Sequence, residues 1–238
     1  MLIAAVLFAV PIVEAQTPEF EVASIKVNLT GSGGSSFSMT RGKVTETNVS
    51  LLGILQAAYA LGPNRVIGPA WLDSDRFDVI GKAPEGIPDS EMPAMLQALL
   101  KDRFHLAVHW EKRELPVFEM VVAKGGLKLV PFDPANANLE LKPHRGGASI
   151  MGVGAMPELA KAISASAGRP VIDKTALQGK FIYQLSFTPL STSSETASDP
   201  SPDFFAAVEE QLGLKLAPRK APVDVLVIDH ADRLPSAN

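Results

Sequence analysis

The chain has 238 residues, 46% apolar and 20% charged. At roughly 150 residues per domain that is enough for one large core or two small ones, and too apolar for a disordered, collagen-like or coiled-coil chain. Its 22 Lys and Arg against 26 Asp and Glu leave a net charge of −4 with no basic run, so the electrostatic footprint of a nucleic-acid-binding surface is missing. It contains no cysteine, which excludes disulfide frameworks, iron–sulfur clusters, thiolate zinc sites, a cysteine nucleophile and a lipid-modified N-terminal cysteine.

Residues 1–15 read as a signal peptide. Leu2 to Val13 is a short apolar stretch, and Val13-Glu14-Ala15 gives the small-x-small pattern that signal peptidase cuts, here before Gln16. No Lys or Arg precedes the apolar run. The run falls short of the roughly 20 residues a spanning helix needs, and no later segment replaces it. A protein that does not span the membrane and lies in the periplasm or outside the cell is therefore expected.

Two leading strands follow, Phe20 to Lys26 and Phe37 to Val44, separated by a Gly/Ser loop at 31–36. Leu51, Ile54, Leu55 and Ala58 recur at helical spacing, with Ser50 or Asn48 as cap and Gly62 as terminator. Val66-Ile67 makes a short strand, GPAWLDSD a turn, and Phe77, Val79 and Gly81 alternate with polar neighbours up to Pro84. Met92, Met95, Leu96, Leu99 and Leu100 predict a second helix capped by Ser90. Phe104, Leu106, Val108 and Trp110 then alternate as a half-buried strand does. Val117 to Ala123 gives another strand, and Gly125-Gly126 turns it toward Leu127 to Val130.

The second half reads in the same order. Pro157 opens a helix with Met156, Leu159, Ala160 and Ile163 on one side and Gly168 at its end, and Val171-Ile172 follows. Another helix runs from Asp203 through Phe205, Val208 and Leu212 to Gly213, and PVDVLVI from Pro222 echoes PVFEMVV from Pro116. Val66 to Pro84 and Val171 to Pro189 both span 18 positions. This predicts an α+β fold of two pseudo-repeated helix-strand-strand-helix-strand-strand units with mixed sheets, at 16–130 and 149–238, joined by a linker at 131–148. The polar stretch from Leu190 to Pro202 reads as a second connection.

FEVASIK, GPAWLDSDRFDVIGKAP, LLKDRFHLAVHWEKRELPVFEMVVAKGGLKL, GRPVIDKTALQGKF and EEQLGLKLAPRKAPVDVLVIDHA resemble an uncharacterised exported family that is heavily duplicated in soil acidobacteria. The resemblance spans the chain beyond the leader. It implies a domain of unknown function, and related domains attached to antibiotic-response-type sensor peptidases imply sensing or binding. The chain departs from the family at Ala176, where glycine is usual, and at Phe181-Ile182-Tyr183, where a Tyr-Asp-Phe-like triplet is usual. Each half also resembles the small periplasmic domain at the N-termini of secretins and outer-membrane signalling receptors, an analogy of fold alone.

Chemical sites are sparse. His105 and His109 have helical metal-pair spacing, but on a strand four residues span about 13 Å, too far for two ligands of one zinc. Asp73, Asp75 and Asp78 crowd one turn without completing a calcium-loop pattern. No metal or cofactor is expected. Asp173-Lys174-Thr175 after an apolar strand is similar to the phosphorylated signature of P-type pumps, whose other parts are missing from this sequence. Asp229-His230 also follows a buried strand, and symmetric packing of the units would bring it toward Asp173 and Lys174 as an acid/base pair. No Gly-x-Ser-x-Gly elbow and no phosphate-binding loop occur. Trp71, Trp110 and Tyr59 either line a peptide or sugar groove or fill the core.

The expected function is a non-catalytic binding or interaction module of the cell envelope, meeting a protein, peptide or glycan through a sheet edge. The alternatives are an extracytoplasmic hydrolase with its site near Asp173, Lys174, Asp229 and His230, and a sensor domain acting with an envelope peptidase.

Overall fold

The computed structural model describes residues 18–31, 34–136, 148–188 and 203–237. Residues 1–15 and 190–202 and most of the 131–148 linker lie outside them, so the signal-peptide and connection readings do too. The described chain is α+β, in three sheets.

The first sheet holds β1 (Val22–Val27), β2 (Ser36–Thr40), β3 (Lys43–Ser50) and β5 (Arg76–Lys82) in the antiparallel order β1-β5-β3-β2. The stretch expected as one strand, Phe37 to Val44, is a hairpin. Arg41 and Gly42 both take positive φ, 53° and 69°, which is the geometry of a two-residue turn matched to strand twist. Asp89 accepts both of their N–H groups, at 3.0 and 2.8 Å.

One face of this sheet packs on α1 (Leu51–Ala58) and α3 (Met92–Phe104), burying Ile25, Val44, Phe77 and Val79 against Leu51, Ile54, Leu55, Leu96 and Phe104. Phe77 and Phe104 meet edge to face at 5.3 Å. Ser50 caps α1 by accepting from the Gly53 N–H, and the helix stops at Ala58, short of Gly62. Ser90 does not cap α3; it lies inside a 3₁₀ turn at Asp89–Glu91 that leads into the helix. A single helical turn, α2 (Trp71–Ser74), replaces the expected turn between β4 (Val66–Ile67) and β5.

The second core packs β8 (Ala148–Gly154) and β10 (Phe181–Phe187) with α4 (Met156–Ala167) and α5 (Phe204–Leu212). The short β7 (Val130–Pro131) completes their sheet in the order β7-β10-β8. Asp203 caps α5 through the Ala206 N–H, and Gly168 and Gly213 close α4 and α5 in the left-handed conformation. Ala176 also sits there, at φ 58, a backbone conformation that favours glycine over any residue with a Cβ. Ala176→Gly is expected to stabilise the chain by about 0.5–1 kcal/mol in thermal or urea unfolding, because the left-handed strain on a Cβ exceeds the entropy glycine adds to the unfolded chain.

The third sheet joins the two cores. β6 (Ala107–Val122) and β11 (Leu214–His230) form one long antiparallel ribbon, where two separate strands were expected around Pro116. At about 3.3 Å per residue the ribbon runs some 50 Å. Leu106 and Leu226 lie in the first core and Met120, Leu214 and Leu216 in the second. Each half lends its short strand to the other half's long one: β4 pairs parallel with β11, and β9 (Val171–Asp173) pairs parallel with β6. The sheet order is β4-β11-β6-β9.

Candidate groove and strand edge

Hydrogen bonds at the ribbon's ends fix which way each residue points. The Phe118 N–H donates outward to Pro170, the Met120 carbonyl accepts from Lys174, and the Leu226 N–H donates outward to Arg65. The Ala123 N–H donates inward to Gly213. Backbone groups alternate sides along a strand, so even-numbered residues of β6 and β11 face the outer edges and odd-numbered residues face each other. Pro116, Pro218 and Pro222 are all even-numbered, so their missing N–H groups remove no ladder bond. That is why β6 passes through Pro116 unbroken.

A groove of about 1260 Å³ lies beside the start of β6. Its walls are the outward side of α3, with Ala94, Gln97, Ala98 and Lys101, the end of α1 at Tyr59, and Leu106 to Val108. Gln97 Nε2 is held by the Ala58 carbonyl at 2.7 Å. A smaller recess of about 450 Å³ continues along α3 from Glu19 and Asp102 toward Phe20 and Ala23. Burial pushes the Tyr59 phenol above its usual pKa. Tyr59 meets Trp110 edge-on at 6.3 Å, and Trp110 is 52% exposed. Two of the three aromatic candidates therefore come together, whereas Trp71 packs partly buried against the first core.

A histidine–aspartate cluster borders the groove. His105 caps α3 at φ 46 instead of starting the strand, and its Nδ1 lies 2.7 Å from Asp232, which His230 Nε2 also approaches at 3.2 Å. The His105 hydrogen bond holds the Asp232 carboxyl below its usual pKa. His109 Nδ1 sits 2.8 and 2.9 Å from the two oxygens of Asp229. These imidazoles and carboxylates are all about half exposed. Open to water, they lack the exclusion that strengthens acid–base catalysis. The His105–Asp232 and His109–Asp229 pairings join residues more than 100 positions apart, so no local pattern in the sequence announces them.

The acid/base pair expected at Asp173, Lys174, Asp229 and His230 does not assemble. Asp173 is level with Met120 and His230 with Ala107, thirteen strand positions or about 40 Å apart. Asp173 instead accepts from the N–H and hydroxyl of Thr175 at 2.9 and 2.7 Å, closing a turn. The Asp73, Asp75 and Asp78 cluster is likewise dispersed. Asp75 takes the Arg233 guanidinium at 2.6 and 3.0 Å, which lowers its pKa, while Asp78 accepts from Asn28 and from the Asn48 N–H. Among the described residues no group of three His, Cys, Asp or Glu is placed to hold a metal ion, and no helix is long and apolar enough to cross a membrane.

The family described as "Protein of unknown function (DUF3738)" matches residues 53–231. No curated protein matches the chain. No solved structure matches it either.

Proposed function

Since the chain belongs to the DUF3738 family, whose description names no activity, we propose, from the leader-like sequence of residues 1–15 and the geometry of the groove, that it is an exported, non-catalytic binding module of the cell envelope. The observation that supports this reading is the groove along α3, which Tyr59 lines beside its exposed neighbour Trp110 and which holds no buried ionisable pair. Such a surface offers contact area and a few fixed polar groups, which is what recognition of a polypeptide or glycan needs. The two halves read as related units because, apart from the extra turn α2 and the 3₁₀ turn at Asp89–Glu91 in the first, strand, helix, short strand, strand, helix and long strand follow in that order in each. A hydrolase at Asp173 and Asp229-His230 finds no support in their 40 Å separation.

A thermal-melt screen against peptides, oligosaccharides and envelope fragments tests the reading. A compound at 100 times its Kd stabilises by about 2.7 kcal/mol, which moves the midpoint of a chain this size by roughly 5–10 °C. Ala98→Trp, which fills the groove from a partly exposed position, is expected to abolish that shift while leaving the ligand-free midpoint within about 2 °C. Retention of the shift in the variant places binding elsewhere, and turnover of the bound compound replaces the binding reading with an enzymatic one.

A further inference from the structure

The two outer edges of the ribbon are not equivalent. Between the buried Leu214 and the strand β4, the outward positions of β11 are Leu216, Pro218, Lys220, Pro222 and Asp224, so no two successive ones in that stretch offer an N–H, and Arg65 Nε already occupies the Asp224 carbonyl at 2.8 Å. Prolines in these positions are how natural sheets block unwanted strand addition. On β6 the outward positions Val108, Trp110, Lys112 and Glu114 form an uninterrupted row of donors and acceptors, ended by Pro116 and then by β9. Among the described residues no strand pairs with this row. The row begins in the groove, which Val108 lines, and passes Trp110.

We infer that the outer edge of β6 from Val108 to Glu114 accepts one extended peptide segment as an added strand. The inference rests on the binding-module reading and names its partner class. Peptide backbone is the chemistry that alternating N–H and C=O groups complement, and the four outward residues pair with about seven residues of ligand over roughly 20 Å. Alternate side chains of the added strand face the side that carries Val108 and Trp110, and the intervening ones face His109, Glu111 and Arg113.

The test uses the full chain and peptides selected on it from a random heptapeptide display library. Lys112→Pro is expected to weaken their binding at least tenfold with little effect on folding, because the Lys112 N–H makes no ladder bond. Lys220→Pro, its counterpart on the blocked edge, is expected to leave binding within twofold. N-methylation along a selected peptide is expected to weaken binding at every second residue, and this readout stands even where a proline variant fails to fold. Undiminished binding to Lys112→Pro, or an N-methyl scan without a two-residue period, overturns strand addition while the groove reading survives if Ala98→Trp still abolishes binding. Failure to select any peptide overturns strand addition, as does a dimer that Lys112→Pro converts to monomer, which gives the edge to a second copy of the chain.

Discussion

Raising the pH from 4.5 to 8 is expected to lower the stability of the chain by about 3 kcal/mol through one residue. Glu46 lies on β3 in the row that faces the first core, level with Phe37 on β2 and Val79 on β5, and it is 1% exposed. Neither carboxylate oxygen has a hydrogen-bond partner. Burial raises its pKa from 4.5 to about 7, with no charged neighbour contributing. Below pH 4.5 the group is protonated in folded and unfolded chains alike. Between 4.5 and about 7 the unfolded chain releases the proton while the folded chain keeps it, so stability falls as pH rises, and above 7 the loss is complete. The gap between 4.5 and about 7 corresponds to roughly 3 kcal/mol. Glu46→Met, of similar volume, is therefore expected to raise the midpoint at pH 8 by roughly 6–12 °C and to change it little at pH 4.5. Equal gains at both pH values would mean that packing, and not the charge, sets the difference.

The same residue marks where sequence reading stops. Every second residue of β3 from Val44 to Ser50 is buried, and that row reads Val, Glu, Asn, Ser, so hydrophobic alternation could not reveal which face is inward. Helices α1, α4 and α5 were legible because their signals are local: Ser50 three residues before the Gly53 N–H that donates to it, Asp203 before α5, and Gly168 and Gly213 at the ends. Alternation through Trp110 was legible for the same reason. Pro116 misled because whether proline interrupts a strand depends on which side its missing N–H would face, and that is set by β11, more than 100 residues away. Trp110 and Tyr59 were recognisable as candidates by type alone. The groove and the open edge were not, since both arise from the placement of α3 against β6 and from pairing between the halves. Asp173 ends β9 and Asp229-His230 end β11 where each was expected to follow a strand, and the crossing of β4 and β9 onto the other half's long strand puts them at opposite ends of the ribbon.

Gly213→Ala is expected to cost about 3–5 kcal/mol, whereas Gly168→Ala costs about 1. Both glycines end helices at nearly the same positive φ, 66° and 68°, so the strain of placing a Cβ in the left-handed region is shared and amounts to about 1 kcal/mol. Their surroundings differ. Nothing lies within 4 Å of a Cβ at position 168, while one at 213 would strike the Gly126 carbonyl oxygen and come within 2.7 Å of the Lys128 amide nitrogen. Those atoms belong to the turn that leaves β6, whose Lys128 N–H donates to Leu212 and whose Ala123 N–H donates to Gly213 itself. Relief of the clash requires backbone movement, which breaks bonds at the point where α5, the ribbon and the second core meet. Thermal unfolding of the two variants separates the contributions: a midpoint drop of roughly 6–20 °C at 213 against 2–4 °C at 168 follows from backbone crowding. Equal drops would leave conformational strain as the sole cost and would mean that the turn at Gly125-Gly126 yields without loss.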